Sequence, residues 1–137
     1  MINWLAVLVA AVVSFIIGWA WYSNALFGRK WRALSGVSEE MHMQMAANKS
    51  RMKWAMPVYF VSLFLLSYVL SLVLSYFGAF GVADGLKIGF WMWLGFTVPV
   101  SISAVLWERR PWGRWFIDGA YMLVTLLVAG AILATWA

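Results

Sequence analysis

Cysteine is absent from the 137 residues, histidine occurs once, and aspartate and glutamate together number five. Without thiols the chain forms no disulfide and offers no thiolate as nucleophile or metal ligand. One histidine and five dispersed carboxylates supply no nucleophilic triad. No pair of carboxylates stands at helical spacing on a core-facing side, since Glu39 and Glu40 are adjacent and diverge around a helix. A nucleophile elbow and a phosphate-binding glycine loop are missing as well. The expectation is a protein that is not an enzyme, with no catalytic residue and no cofactor.

Charge is equally scarce. Charged residues make up 11% of the chain, against roughly 25% in soluble domains, while 65% is hydrophobic and 18% aromatic. That balance belongs to a membrane protein. The net charge of +5 does not gather on one basic face, and the cations sit in short runs between apolar stretches. Nucleic acid is therefore not expected as a partner, and membrane lipids with anionic headgroups are.

Four stretches are long and apolar enough to span a bilayer, which takes about 20 residues. They run from about 4 to 22, 54 to 77, 86 to 107 and 115 to 136, without a charge near any middle. Trp4, Trp19, Trp21, Tyr22, Trp54, Trp107, Trp112, Trp115 and Trp136 stand near their ends and read as two interfacial belts. The N-terminus lacks a basic n-region, and "AVLVAAVVSFIIGWAWY" is too long and aromatic for a signal peptide, so the first helix is expected to be retained. Residues 1–137 form one integral membrane domain.

Orientation follows from the cations. The first and third loops hold nine of them, Arg29, Lys30, Arg32, Lys49, Arg51, Lys53, Arg109, Arg110 and Arg114, whereas the second holds only Lys87. Lys and Arg are retained on the cytoplasmic side, which puts both termini outside and the long first loop inside. In a bacterial inner membrane the outside is the periplasm. Gly78, Gly81 and Gly85 are expected to break the outer turn, and Pro111 with Gly113 the inner one.

The first loop is too long for a turn and should carry an amphipathic helix. Ser38 suits its N-cap, Glu39 and Glu40 its positive end, and Lys49, Arg51 and Lys53 its negative end. On one continuous helix Met41, Met45, Met52 and Met56 fall in a stripe, while His42 and Met43 point elsewhere. Copper(I) favours thioether and imidazole ligands, but a helix disperses these, so no metal is expected and the methionines read as adaptable packing.

Ala6, Ala10, Ser14 and Gly18, four apart, form a groove of small residues on the first helix, suited to close packing within the subunit or across a homo-oligomer interface. Gly85 with Gly89, and Gly130 with Ala134, repeat the spacing, although small residues are common enough in membrane helices to explain such pairs. Candidate cavity-lining groups are Ser14, Trp93, Thr97, Ser101, Asp118, Tyr121 and Thr125, with Pro99 freeing a carbonyl beside them. Hydroxyls in membrane helices also bond back to their own backbone, and Asp118 reads first as a partly solvated partner of Arg114, with the mouth of a cation or proton path as the alternative. Ser67, Ser71 and Ser75 make a weaker polar stripe.

"GWAWYSNALFGRKW" (18–31), "GFWMWLGFTVP" (89–99), "LWERRPW" (106–112) and "FIDGAYMLVTLLVAGAIL" (116–133) resemble a bacterial family of small four-helix membrane proteins catalogued as a domain of unknown function. The Trp-Tyr-Ser-x-x-x-Phe-Gly-x-x-Trp pattern, Trp21 to Trp31, is the most specific part. The resemblance implies a four-helix membrane fold and carries over no site residue. Asp118, where an amide is more usual, and the methionine cluster depart from it. Read physically, the motif is a membrane-surface elbow in which Arg29, Lys30 and Arg32 reach headgroup phosphates beside Phe27 and Trp31.

The expected protein is an all-α polytopic bundle with four transmembrane helices and an amphipathic cytoplasmic segment between the first two. Two functions fit. One is passive or facilitated passage of a small solute through a hydroxyl-lined cavity; the other is a non-transporting scaffold or accessory subunit that binds lipid or a membrane partner.

Overall fold

A computed structural model describes residues 2–136, so Met1 and Ala137, the ends of the expected domain, lie outside the described residues. Helices α1 (Trp4–Trp21), α2 (Gly28–Ser35), α3 (Glu39–Ala47), α4 (Lys49–Tyr76), α5 (Gly81–Met92), α6 (Val98–Trp107) and α7 (Trp112–Thr135) follow in order, with a π-helical turn at Trp93–Thr97 joining α5 to α6. No strand occurs among the described residues. Four helices are long and apolar enough to cross a membrane: α1, α4, the continuous Gly81–Trp107 segment, and α7.

The local chemistry explains the ends. Asn3 caps α1 by accepting from the Ala6 amide at 3.2 Å, and its amide nitrogen donates to the Trp136 carbonyl at 2.7 Å, tying the start of α1 to the end of α7. Gly36, in the left-handed region at φ +75°, closes α2. Ser38 accepts from the Met41 amide at 3.1 Å and starts α3.

The first loop then departs from expectation. It carries two helices rather than one, and Asn48 ends α3 and caps α4 by accepting from the Arg51 amide at 3.1 Å. Lys49, Arg51 and Lys53 consequently open α4 instead of closing a cytoplasmic helix. An N-terminus repels cations, so their exposure to solvent is what offsets that position. The methionine stripe divides with the helix: Met41 and Met45 are exposed on α3, whereas Met52 and Met56 belong to α4.

Helix α7 is the axis of the bundle, touched by α1, α2, α4, α5 and α6. Its tightest neighbour is α5. A Cβ on Gly85 would collide with the Gly130 carbonyl, one on Gly130 with that of Gly85, and one on Gly89 would lie 2.5 Å from the Leu126 carbonyl. Gly85 is thus a packing residue inside α5, not part of the outer turn, and Gly85 and Gly130, one from each short pair, pack directly on each other. Ala6, Ala10, Ser14 and Gly18 are all buried within the chain. The groove that suggested a homo-oligomer interface is filled by the protein's own helices.

The core lies toward one end. Ala6, Val7 and Ala10 of α1, Leu70 and Leu74 of α4, and Leu126, Ala129, Leu133 and Ala134 of α7 make one cluster, roofed by Trp4 stacked on Tyr68 at 5.2 Å. At the other end three residues expected in the belts make hydrogen bonds to protein groups. Trp21 Nε1 donates to the Ile117 carbonyl, Tyr22 to Asp118, and Trp115 Nε1 to Ser101 Oγ, each at 3.0 Å or less.

Candidate functional site

Bulky residues replace small ones as the helices leave the core. Phe15, Gly18 and Trp19 of α1 share one face at helical spacing with Tyr22, the C-cap residue that follows it. On α7, Asp118, Gly119, Tyr121 and Met122 share another. Between them lies a cavity of about 740 Å³, completed by Met56 and Tyr59 of α4, Thr97 and Ser101 of the third span, Ser23, and His42 of α3. The volume falls within the range of small-molecule sites, and the walls are mainly apolar and aromatic with a few convergent polar groups.

Gly18 makes the central wall possible. A Cβ there would lie 2.6 Å from the Tyr121 hydroxyl and 3.1 Å from that of Tyr59. The two tyrosine hydroxyls bond each other, and Tyr121 also donates to the Ser14 carbonyl at 3.3 Å. The third span supplies the opposite wall. Close glycine packing holds α5 on α7, whereas α6 touches α7 lightly and makes little contact with α4. The π-helical turn and Pro99 interrupt the regular hydrogen-bond ladder where the span changes from close to loose. The cavity is partly open to its surroundings.

At its polar rim the Tyr22 hydroxyl donates to Asp118 Oδ1 at 2.5 Å, and Arg114 Nε stands 3.6 Å from Asp118 Oδ2. Asp118 is therefore paired with Arg114 and also faces the cavity. Beside it a second cavity, of about 290 Å³, is lined by Tyr22, Gly28, Trp31, Arg32, His42 and Asp118. Its Arg32 side chain is only 5% exposed. It donates to Asn24 Oδ1 at 2.6 Å and pairs with Glu39 Oε1 at 3.2 Å. Arg32 is thus turned inward, unlike Arg29 and Lys30, which are exposed.

The expected lining residues separate into two groups. Thr97, Ser101, Asp118 and Tyr121 come together on the large cavity. Trp93 stands behind it, donating to the Gly119 carbonyl at 2.9 Å. Ser14 and Thr125 lie outside the lining, fully buried in the bundle; Ser14 bonds back to the Ala10 carbonyl at 2.7 Å, as hydroxyls in membrane helices commonly do. Sequence reasoning passed over Phe15, Met56, Tyr59 and His42. Phe15 and Tyr22 could have been read from the face they share with Gly18. His42, expected to point elsewhere, lines both cavities, while Met41, Met43 and Met45 are exposed and do not converge on it. No cluster of three His, Asp or Glu side chains able to hold a metal occurs among the described residues.

The fold and site define a small helical protein with four candidate membrane spans and a partly open, mainly apolar cavity at one end. The chain belongs to the family described as "Protein of unknown function (DUF1761)", which matches residues 5–134. No curated protein and no solved structure matches it.

Proposed function

We propose that this protein is a membrane-embedded binding protein that takes a small apolar or amphipathic molecule sideways from the bilayer into the large cavity. The observation that carries the reading is that the cavity is one-ended. Beyond Tyr121 the bundle centre is occupied by fully buried Val7, Ser14, Ser67 and Thr125, and a void at the opposite end, lined by Asn3, Leu74 and Ala134 among others, measures about 40 Å³. Passage of a small solute needs that centre to open, whereas binding uses it as a floor. Of the two functions that fit the sequence, non-transporting binding of lipid or a membrane partner is favoured on this ground.

The cation asymmetry supports a bacterial inner-membrane setting with the cavity end at the cytoplasmic face and both termini outside. A single cysteine placed at Asn48 should be protected from an impermeant reagent added outside; reaction there would reverse the orientation.

Photolabelling tests the binding. In nanodiscs of phosphatidylcholine, an uncharged long-chain alcohol carrying a diazirine should label Phe15, Met56 and Met122, and Met122→Trp, which fills the cavity, should suppress labelling at Phe15. Even labelling of lipid-facing positions such as Leu65 and Val69, indifferent to Met122→Trp, would sink the reading.

A further inference from the structure

The smaller cavity is built unlike the larger one. Its distinguishing residue is a nine-tenths-buried arginine whose bonds are incompletely used: Arg32 satisfies Nη2 on Asn24 and Glu39, but its Nε has no acceptor within the protein. The indole Nε1 of Trp31, also on the lining, is a second buried donor without an acceptor, and Arg114 Nη1 is a third. Arg114 sits over the Trp31 ring, 4.8 Å from its centroid. Buried donors are expensive to leave unpaired, and guanidinium and indole N–H groups can donate but never accept. What such a cluster lacks is an acceptor, and an oxyanion supplies several at once.

The nearby carboxylates do not fill this role. Glu39 already meets Arg32 through Nη2, and its side chain is 67% exposed. Asp118 faces both cavities, but one of its oxygens accepts from Tyr22 and the other faces Arg114, so its charge is opposed locally. Exposed Arg29, Lys30 and Arg110 at the same end add a positive field.

We propose that this cavity holds the oxyanion of an amphiphile, a phosphate or carboxylate headgroup, on Arg32 Nε and Trp31 Nε1, with its hydrocarbon part in the large cavity. The two cavities share Tyr22, His42 and Asp118, which places the charged group at the mouth of the apolar space. The tail placement rests on the binding reading above, whereas the headgroup site stands on its own donors. The same oxyanion chemistry is offered by an anionic lipid and by free phosphate, and the test separates them.

The protein is reconstituted in nanodiscs of phosphatidylcholine with a minor fraction of phosphatidylglycerol, released in the mass spectrometer, and scored for retained lipid. Phosphatidylglycerol should be retained preferentially. Arg32→Lys, which keeps the charge but loses the Nε–H, should cut that preference about tenfold, the scale of a hydrogen bond to a charged group. Trp31→Phe, which keeps the ring under Arg114 and loses only the N–H, should cut it about threefold. Because the Trp31 nitrogen bonds nothing in the protein, this second variant reads the site even if Arg32→Lys disturbs the elbow. Lys53→Gln, at an exposed cation that lines neither cavity, should leave the preference nearly intact. An equal fall with Lys53→Gln, or no fall with Trp31→Phe, would overturn the headgroup site while leaving photolabelling by the uncharged alcohol unaffected. Inorganic phosphate, added to protein in pure phosphatidylcholine, should stabilise it less than phosphatidylglycerol does. Equal stabilisation would assign the site to a soluble oxyanion and overturn the joint occupancy.

Discussion

The two ends of the bundle use the same helices to opposite effect. At the closed end Ala6, Ala10, Gly85, Gly89, Ala129, Gly130 and Ala134 bring backbones almost into contact, and the core is close-packed. At the other end Phe15, Trp19, Tyr22 and Tyr121 stand along the continuations of α1 and α7 and, with Tyr59 of α4, help to surround about 740 Å³ of space. A bilayer gives apolar side chains no hydrophobic reason to associate, so side-chain size and shape decide whether neighbouring helices close. Small residues let them close, while large rings hold them apart. The difference teaches that the cavity is written into residue size along each helix and does not need a separate domain.

The most direct way to break the comparison is to put bulk where backbones meet. Gly85→Leu cannot be absorbed by a rotamer change, because its Cβ already collides with the carbonyl of Gly130. The helices must part, at a cost of about 3 kcal/mol or more, the upper range for overpacking. Melting in mild detergent should show a large loss of stability or outright failure to fold. Stability equal to the parent's would mean that α5 and α7 do not meet through these glycines.

A smaller effect is expected at the floor of the cavity. Ser14 is fully buried, and Ser14→Leu or Ala10→Leu should destabilise by about 1–3 kcal/mol without changing subunit number, because the groove is filled within the chain. Mass by light scattering and melting together check it. A variant that dissociates an oligomer while melting normally would place the groove between subunits.

These sites were unevenly legible in the sequence. The four spans were readable because length and apolarity alone define them, and the groove on α1 because a spacing of four fixes one face. The partner of that face was not, since neighbouring helices are chosen by tertiary packing. Gly85 looked like a turn residue because it follows Gly78 and Gly81, and only the opposing Gly130 reveals its role. The helix break at Asn48 was hidden by helix-favouring neighbours, while its capping side chain was a signal available in the sequence. Arg32 looked like Arg29 and Lys30 because a basic run says nothing about which member turns inward; Asn24 and Glu39, brought close by the elbow, decide that. Asp118 with Arg114 was legible as an i, i+4 pair, but Tyr22 as its second partner, 96 residues away in sequence, was not.

The smallest expected effect sharpens the comparison most. Thr125 is 1% exposed, and its hydroxyl has no partner within the protein. In a dry centre that hydroxyl is a liability, because a buried polar group without a bond costs free energy while a methyl of the same shape does not. Thr125→Val should therefore leave stability unchanged or raise it by up to about 1 kcal/mol. Tyr121→Phe, on the cavity wall, should instead lower it by about 0.6 kcal/mol, the average for a hydrogen bond between membrane helices, because it loses the bonds to Tyr59 and the Ser14 carbonyl. Opposite signs for the two variants in parallel melts match a dry floor beneath a polar-edged cavity. A loss of more than about 1 kcal/mol for Thr125→Val would mean that its hydroxyl is solvated, so that water reaches the bundle centre and the closed end is not closed.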